Sequence, residues 1–144
     1  MLDPAAGGGN ACVEIDPAQA PGTVTLTKTV RPGRAVTLIG ALKVRADLAI
    51  DGAEPAGSQI AGRLWDVAPD GSSQLLVARG TYRPDRQGRA TWQLHPAAWR
   101  YKPGHTIKLE LLGNDIPYAR KSNDEFTIEL TNLRARLPVR RLPR

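Results

Sequence analysis

One cysteine, one methionine and one phenylalanine are all that the 144 residues contain of those three types. With Cys12 alone, no intrachain disulfide can form. None is needed at this length, because a domain of this size buries about 70% of the surface its unfolded chain exposes. Apolar runs are only a few residues long, too short to span a bilayer as a helix. The start, Met1-Leu2-Asp3-Pro4, lacks the basic flank and apolar stretch of a signal peptide. The compartment stays open on these grounds. Apolar residues at 41% and charged residues at 24% make an ordinary globular mixture, enough for one domain.

The parts of a catalytic site are also scarce. No Gly-x-Ser-x-Gly occurs, so the nucleophile elbow of an α/β-hydrolase is missing. The serines, Ser58, Ser72, Ser73 and Ser122, all lie in polar or Gly-rich loop sequence. His95 precedes a proline at a strand end, and His105 follows Pro103-Gly104 at a strand start. Both are read as strand-end caps bonded to backbone. Two isolated histidines and one distant cysteine do not make a zinc site. Oxygen ligands for a structural calcium exist in Asn114, Asp115, Ser122, Asn123 and Asp124, without EF-hand spacing. Turn formation by Asx residues accounts for the same set, and no other cofactor is indicated.

Charge is unevenly placed. Of the net +6, the tail from Arg134 to Arg144 supplies +5 and holds no acid, leaving +1 for the other 133 residues. A nucleic-acid binder needs its basic face on the folded body, with aromatics for stacking where single strands bind. The nearly neutral body excludes that class.

What the sequence does have is period two. Residues 1–22, rich in Gly, Pro and Ala, are expected to be a lead-in or linker. Residues 23–139 are expected to form the domain and 140–144 a basic tail. Val24, Leu26 and Val30 alternate with threonines, and Leu42, Val44, Ala46, Leu48 and Ile50 fall on one side of a strand. Further strands are expected at 60–67, 75–82, 90–94, 107–112, 126–130 and 133–137. Turn chemistry stands between them at Pro69-Asp70-Gly71, Gln87-Gly88, Pro103-Gly104 and Gly113-Asn114-Asp115. No helical stripe reaches ten residues, and 96–99 is expected to make a single helical turn. Eight or nine short strands in one domain call for two sheets packed face to face, as a jelly roll or an immunoglobulin-like sandwich.

Trp65 and Trp92, within strands, are expected in the core. Trp99 and Tyr101 flank Arg100 just before a turn and are expected to form an exposed platform of the kind a glycan would use. The loop 113–125 is long for a hairpin connection. Its Asp115, Tyr118, Arg120, Lys121 and Asn123 complete the candidate docking or ligand surface. In Arg63-Leu64-Trp65-Asp66-Val67, bulk falls on both strand faces, which suits a strand covered by a neighbouring domain. Asp66 and Arg79 are read either as an ion pair between adjacent strands or as two solvated charges.

Several stretches, taken in order, form a recognisable set. They are Gln59–Val67 with Ala68-Pro69-Asp70-Gly71, Leu76–Arg83, Gln93-Leu94-His95-Pro96 with Trp99, Gly104–Leu111, Asp115-Ile116-Pro117-Tyr118 and Ser122-Asn123. The set resembles the C-terminal domain of X-prolyl dipeptidyl-peptidases and cocaine-esterase-type acyl hydrolases over about residues 23–139. The resemblance implies an all-β jelly-roll sandwich, similar to galactose-binding domains, appended to an α/β serine hydrolase whose triad lies upstream. None of that family's catalytic residues maps onto this chain. Three functional readings follow. The first is a non-catalytic accessory domain whose partner is the α/β-hydrolase catalytic domain of a parent chain. The others are a glycan-binding module and an interaction domain, with homodimerisation expected where an apolar face is left uncovered.

Overall fold

A computed structural model describes residues 14–15, 22–116 and 118–140, so Cys12 lies outside the described residues. The alternation around residue 46 becomes strand β4, Lys43–Asp51, with Val44, Ala46, Leu48 and Ile50 buried and Lys43, Arg45 and Ala49 exposed. In chain order the other strands are β1 (Glu14–Ile15), β2 (Val24–Thr29), β3 (Val36–Gly40), β5 (Ile60–Val67), β6 (Gln74–Tyr82), β7 (Gly88–Gln93), β8 (Ala97–Tyr101), β9 (Thr106–Leu112), β10 (Thr127–Arg136) and β11 (Val139–Arg140). A short 3-10 turn, Pro55–Gly57, separates β4 from β5. Every strand pairing is antiparallel.

The molecule is an all-β sandwich. One layer is a five-stranded sheet in the order β1-β6-β5-β9-β2. The other is broken into two three-stranded ribbons, β10-β4-β7 and β11-β3-β8. The ribbons are continuous in sequence: β3 runs into β4, β7 into β8 and β10 into β11. All three connections turn at residues that interrupt a ladder. These are Gly40 at φ 120°, Pro96 and Pro138. Proline donates no backbone hydrogen bond, and only glycine takes that φ without strain. The corner is held by the Leu94 N–H donating to the Leu42 carbonyl (3.0 Å) and the Ile39 N–H donating to the Pro138 carbonyl (3.1 Å). The second layer is therefore one sheet folded along a line.

Between the layers lie Leu38, Leu42, Val44, Leu48, Leu64, Leu94, Leu109 and Leu111. Trp92 joins them, stacked on Tyr82 with ring centroids 5.1 Å apart and planes 6° from parallel. Trp92 is thus core, as expected. Trp65 is buried too, yet it faces away from this core, since its neighbour Leu64 points in.

Three local expectations change. Residues 96–99 are not helical: Ala97–Tyr101 is β8, paired with β3, a strand the sequence pattern did not single out. Two alanines favour helix intrinsically, but a strand partner and a core face outweigh so weak a preference. Residues 126–130 and 133–137 belong to one strand, β10, bent by an irregularity between Thr131 and Arg134. There Asn132 takes φ 52°, and its side-chain amide donates to Asp47 Oδ2 (2.8 Å). Glu14 and Ile15, inside the expected lead-in, pair with β6, and Arg140 of the expected tail pairs with β3.

Candidate functional site

The outward face of the five-stranded sheet carries charge rather than threonine alone. On β5, Arg63 lies in register between Glu110 of β9 and Arg79 of β6. Two arginines directly opposite would repel. Asp115, from the loop after β9, resolves this by seating its carboxylate between them. Its Oδ1 accepts from Arg63 Nε (2.8 Å) and also contacts Arg63 Nη2, and Arg79 Nε lies 3.8 Å from Oδ2. Asp115 has no exposed side-chain surface, while the arginines keep 19% and 13%.

The same loop is fastened at further points. The Ala119 N–H donates to the Asp115 carbonyl (2.9 Å), Gln59 Nε2 donates to the Gly113 carbonyl (3.1 Å), and the Ser122 hydroxyl donates to the Gly57 carbonyl. The Arg79 guanidinium lies 4.6 Å from the centre of the Tyr118 ring, and His95 meets that ring edge-on at 6.3 Å. So pinned, the loop exposes Ile116, Tyr118, Arg120, Lys121 and Asn123. Arg120, Lys121, Asn123 and Asp124 also border a shallow cleft of about 220 Å³ with Arg83 and Gly57.

Asp115, expected as part of the candidate docking surface, is buried beneath the exposed side of the loop and ion-paired there. Of the five residues considered for calcium, two are engaged otherwise: Asp115 with two arginines and Ser122 with a backbone carbonyl. Among the described residues no three His, Cys, Asp or Glu side chains converge as a metal-ligand set.

The Trp99–Tyr101 platform is also corrected. Residues two apart on a strand share a face, and here that face is the core: Trp99 pairs with Leu38 and Tyr101 with Val36. Tyr101 is fully buried, Trp99 is half-buried, and the outward residue between them is Arg100. The Trp99 indole N–H donates to Asp66 Oδ2 (2.8 Å), and His105 Nδ1 lies 2.8 Å from Asp66 Oδ1. This contact corrects two readings. Asp66 does not pair with Arg79, because the register places it beside Leu75 on the inner side of the sheet. His105 is held by a carboxylate rather than by backbone alone. No serine hydroxyl bonds either imidazole among the described residues, so no Ser-His-Asp relay forms there.

Burial, then the nearby Asp66 charge, raises the Tyr101 phenol well above its ordinary pKa of about 10. Its hydroxyl has no hydrogen-bond partner among the described residues. A raised pKa means stability that is complete below pH about 10 and lost as the pH rises beyond it. Tyr101→Phe is expected to flatten the alkaline fall in urea-unfolding free energy above pH about 10, followed to pH about 11. At neutral pH it costs nothing or stabilises by up to about 1 kcal/mol, since an orphaned buried hydroxyl is removed. Tyr82 and Tyr118, also raised by burial, supply the residual slope. An unchanged alkaline limb in the variant would refute this assignment.

A second concavity was not foreseen. It is a groove of about 660 Å³ between β2 and the β3–β11 edge, bordered by Lys28, Arg31, Arg34, Arg100 and Arg140. A sign of it is in the sequence: no Asp or Glu occurs between Asp16 and Asp47, while Lys28, Arg31, Arg34, Lys43 and Arg45 all do.

Among the described residues no helix is long and apolar enough to cross a membrane. No family model matches the sequence, and no curated protein matches it. Solved structures do match in fold. An α-amino acid ester hydrolase superposes with a TM-score of 0.63 at 16% identity, over 83% of this chain and 26% of that one. A CocE/NonD family hydrolase from Staphylococcus aureus gives 0.61 at 12% identity, over 89% and 32%. An aminopeptidase from a marine sediment Thaumarchaeota archaeon gives 0.58 at 16% identity, over 72% and 20%. The chain spans between 20% and 32% of these proteins, and its all-β sandwich is the fold of one part of such hydrolases.

Proposed function

We propose that this chain is the non-catalytic C-terminal accessory domain of an α/β serine hydrolase acting on acyl or X-prolyl peptide bonds. It has a jelly-roll sandwich related to galactose-binding domains, packs on the catalytic domain and shapes the edge of the substrate cleft. The observation that carries this reading is the match of most of the chain to a minor part of several hydrolases, and among the described residues no serine hydroxyl bonds either histidine. The pinned loop supports it as the docking face: its anchor is buried and ion-paired, and Ile116, Tyr118, Arg120 and Lys121 stand out from it. Left uncovered, Ile116 at 53% exposure and Tyr118 at 38% favour self-association at high concentration.

The purified 144-residue chain is expected to hydrolyse neither p-nitrophenyl acetate nor an X-Pro p-nitroanilide. Turnover abolished by a serine-directed fluorophosphonate would overturn the proposal.

A further inference from the structure

The basic groove has features that the accessory-domain reading does not use. Its five cations come from separate parts of the fold. Lys28 is the penultimate residue of β2, Arg31 and Arg34 are the two ends of a turn, Arg100 lies on β8 and Arg140 on β11. The turn is Arg31-Pro32-Gly33-Arg34, closed by the Arg34 N–H donating to the Arg31 carbonyl (3.3 Å), with Gly33 at φ 74°. Proline second and a positive-φ glycine third fit a type II turn, which fixes both arginines at the rim. Arg140 and Arg100 flank Thr37 in one cross-strand row, two strand spacings or about 10 Å apart.

All five cations are exposed, none forms an ion pair among the described residues, and no acidic side chain lines the groove. Val36, Ile107 and Val139 give it an apolar floor, Val139 at 53% exposure. Among the described residues the groove also lies between two strands at sheet edges, β2 and β11.

Each feature narrows the occupant. Cations spread around a rim do not converge on one compact anion as a phosphate site would. The lining holds no aromatic ring on which a base would stack. An extended polypeptide fits instead, since its side chains alternate between two faces and its backbone can pair with a free strand edge.

We propose that this groove seats an extended acidic segment of the hydrolase portion of the parent chain, with apolar side chains on Val36, Ile107 and Val139 and carboxylates on the five rim cations. The assignment rests on the accessory-domain reading for the source of the segment, and on the groove's own chemistry for its character.

The test is a titration of the 144-residue chain with a capped Glu-Val-Glu-Val-Glu-Val-Glu peptide, followed by NMR chemical shifts and calorimetry. The expected result is saturable binding with shifts confined to groove residues. Affinity should fall about tenfold or more between about 0.05 M and about 0.5 M salt. Arg31→Glu/Arg100→Glu should lower it by a similar factor, and so should Arg34→Glu/Arg140→Glu. All four sites are exposed, and an unchanged melting temperature certifies each variant. A Lys-for-Glu version of the peptide should not bind.

Absence of saturable binding, indifference to both double variants, or equal binding of the lysine peptide would overturn the proposal. So would equal binding of decanoate or inorganic phosphate at the same residues, which would make the groove a small-anion site. The two readings fail separately. Serine-dependent turnover removes the accessory-domain reading and leaves the titration intact, whereas a silent titration of an inactive chain removes only the groove assignment.

Discussion

Asp115→Ala is expected to lower the unfolding free energy by about 3–5 kcal/mol, the cost of removing one partner from a buried ion pair. The carboxylate has no exposed side-chain surface and separates Arg63 from Arg79, which stand opposite each other across β5 and β6. Without it, two largely buried guanidiniums face each other and lose the carboxylate seated between them. In urea denaturation the midpoint should fall with little change in slope, and the melting temperature should drop by roughly 10 °C. Asp115→Ala combined with Arg63→Met should be milder than Asp115→Ala alone, because removing both partners leaves less uncompensated charge. The loop should loosen at the same time. The environment of Tyr118, stacked under Arg79, reports that directly. A loss under about 1 kcal/mol would mean that solvent, rather than Asp115, screens the arginines.

The second large effect lies two residues along β5. Trp65 is 2% exposed on the face opposite the core, and its indole N–H donates to Glu110 Oε2 at 2.6 Å. The other Glu110 oxygen lies 2.8 Å from Lys108 Nζ, an ion pair close in distance. Trp65→Ala should cost about 3–5 kcal/mol, as large aromatic truncations at buried sites do. Trp65→Phe keeps most of the apolar contact and removes only the donor, so about 1–3 kcal/mol is expected for a buried carboxylate left one bond short. Unfolding followed by far-UV circular dichroism measures both variants without relying on the lost indole. Equal costs for Phe and Ala would show that the hydrogen bond, and not the ring, holds this face together.

Both sites show how much was readable beforehand. The parity of Leu64 and Trp65 was legible because side chains on a strand alternate whatever their partners are. Bulk on both faces of β5 was read as fitting cover by a neighbouring domain, whereas Trp65 is already 2% exposed within this chain. Its pairing with Glu110 and Lys108 was not legible, since which strand lies beside β5, and in what register, is not a local property. The same limit explains the misplaced Asp66. Reading it against Arg79 requires a register in which those two meet. The observed one sets Arg63 against Arg79, with an irregularity between Leu64 and Trp65 displacing the β6 pairing. Trp99 and Tyr101 were read from their neighbouring turn rather than from their parity. Parity alone would have put both on the same side as each other and opposite Arg100.

The candidate surface divides in the same way. Arg120, Lys121 and Asn123 were singled out as candidates because the loop is long and polar between two clear strands, and the structure leaves all three exposed. Asp115, drawn from the same loop, proved to be the anchor that fixes it, through arginines 52 and 36 residues earlier in the chain. The basic groove was half visible as a stretch without acids. Arg100 and Arg140 could join it only once β8 and β11 were known to flank β3.

By itself the sequence determined the all-β class, most of the strands other than β3 and β8, the inward residues of β4, the turn positions and the lack of a nucleophile elbow, because each depends on near neighbours along the chain. Only the tertiary structure decided the strand order, the fold line through Gly40, Pro96 and Pro138, the burial of Asp115 and the five cations around one groove. Those depend on contacts between residues far apart in sequence, and such contacts are set by how the two layers pack rather than by any local pattern.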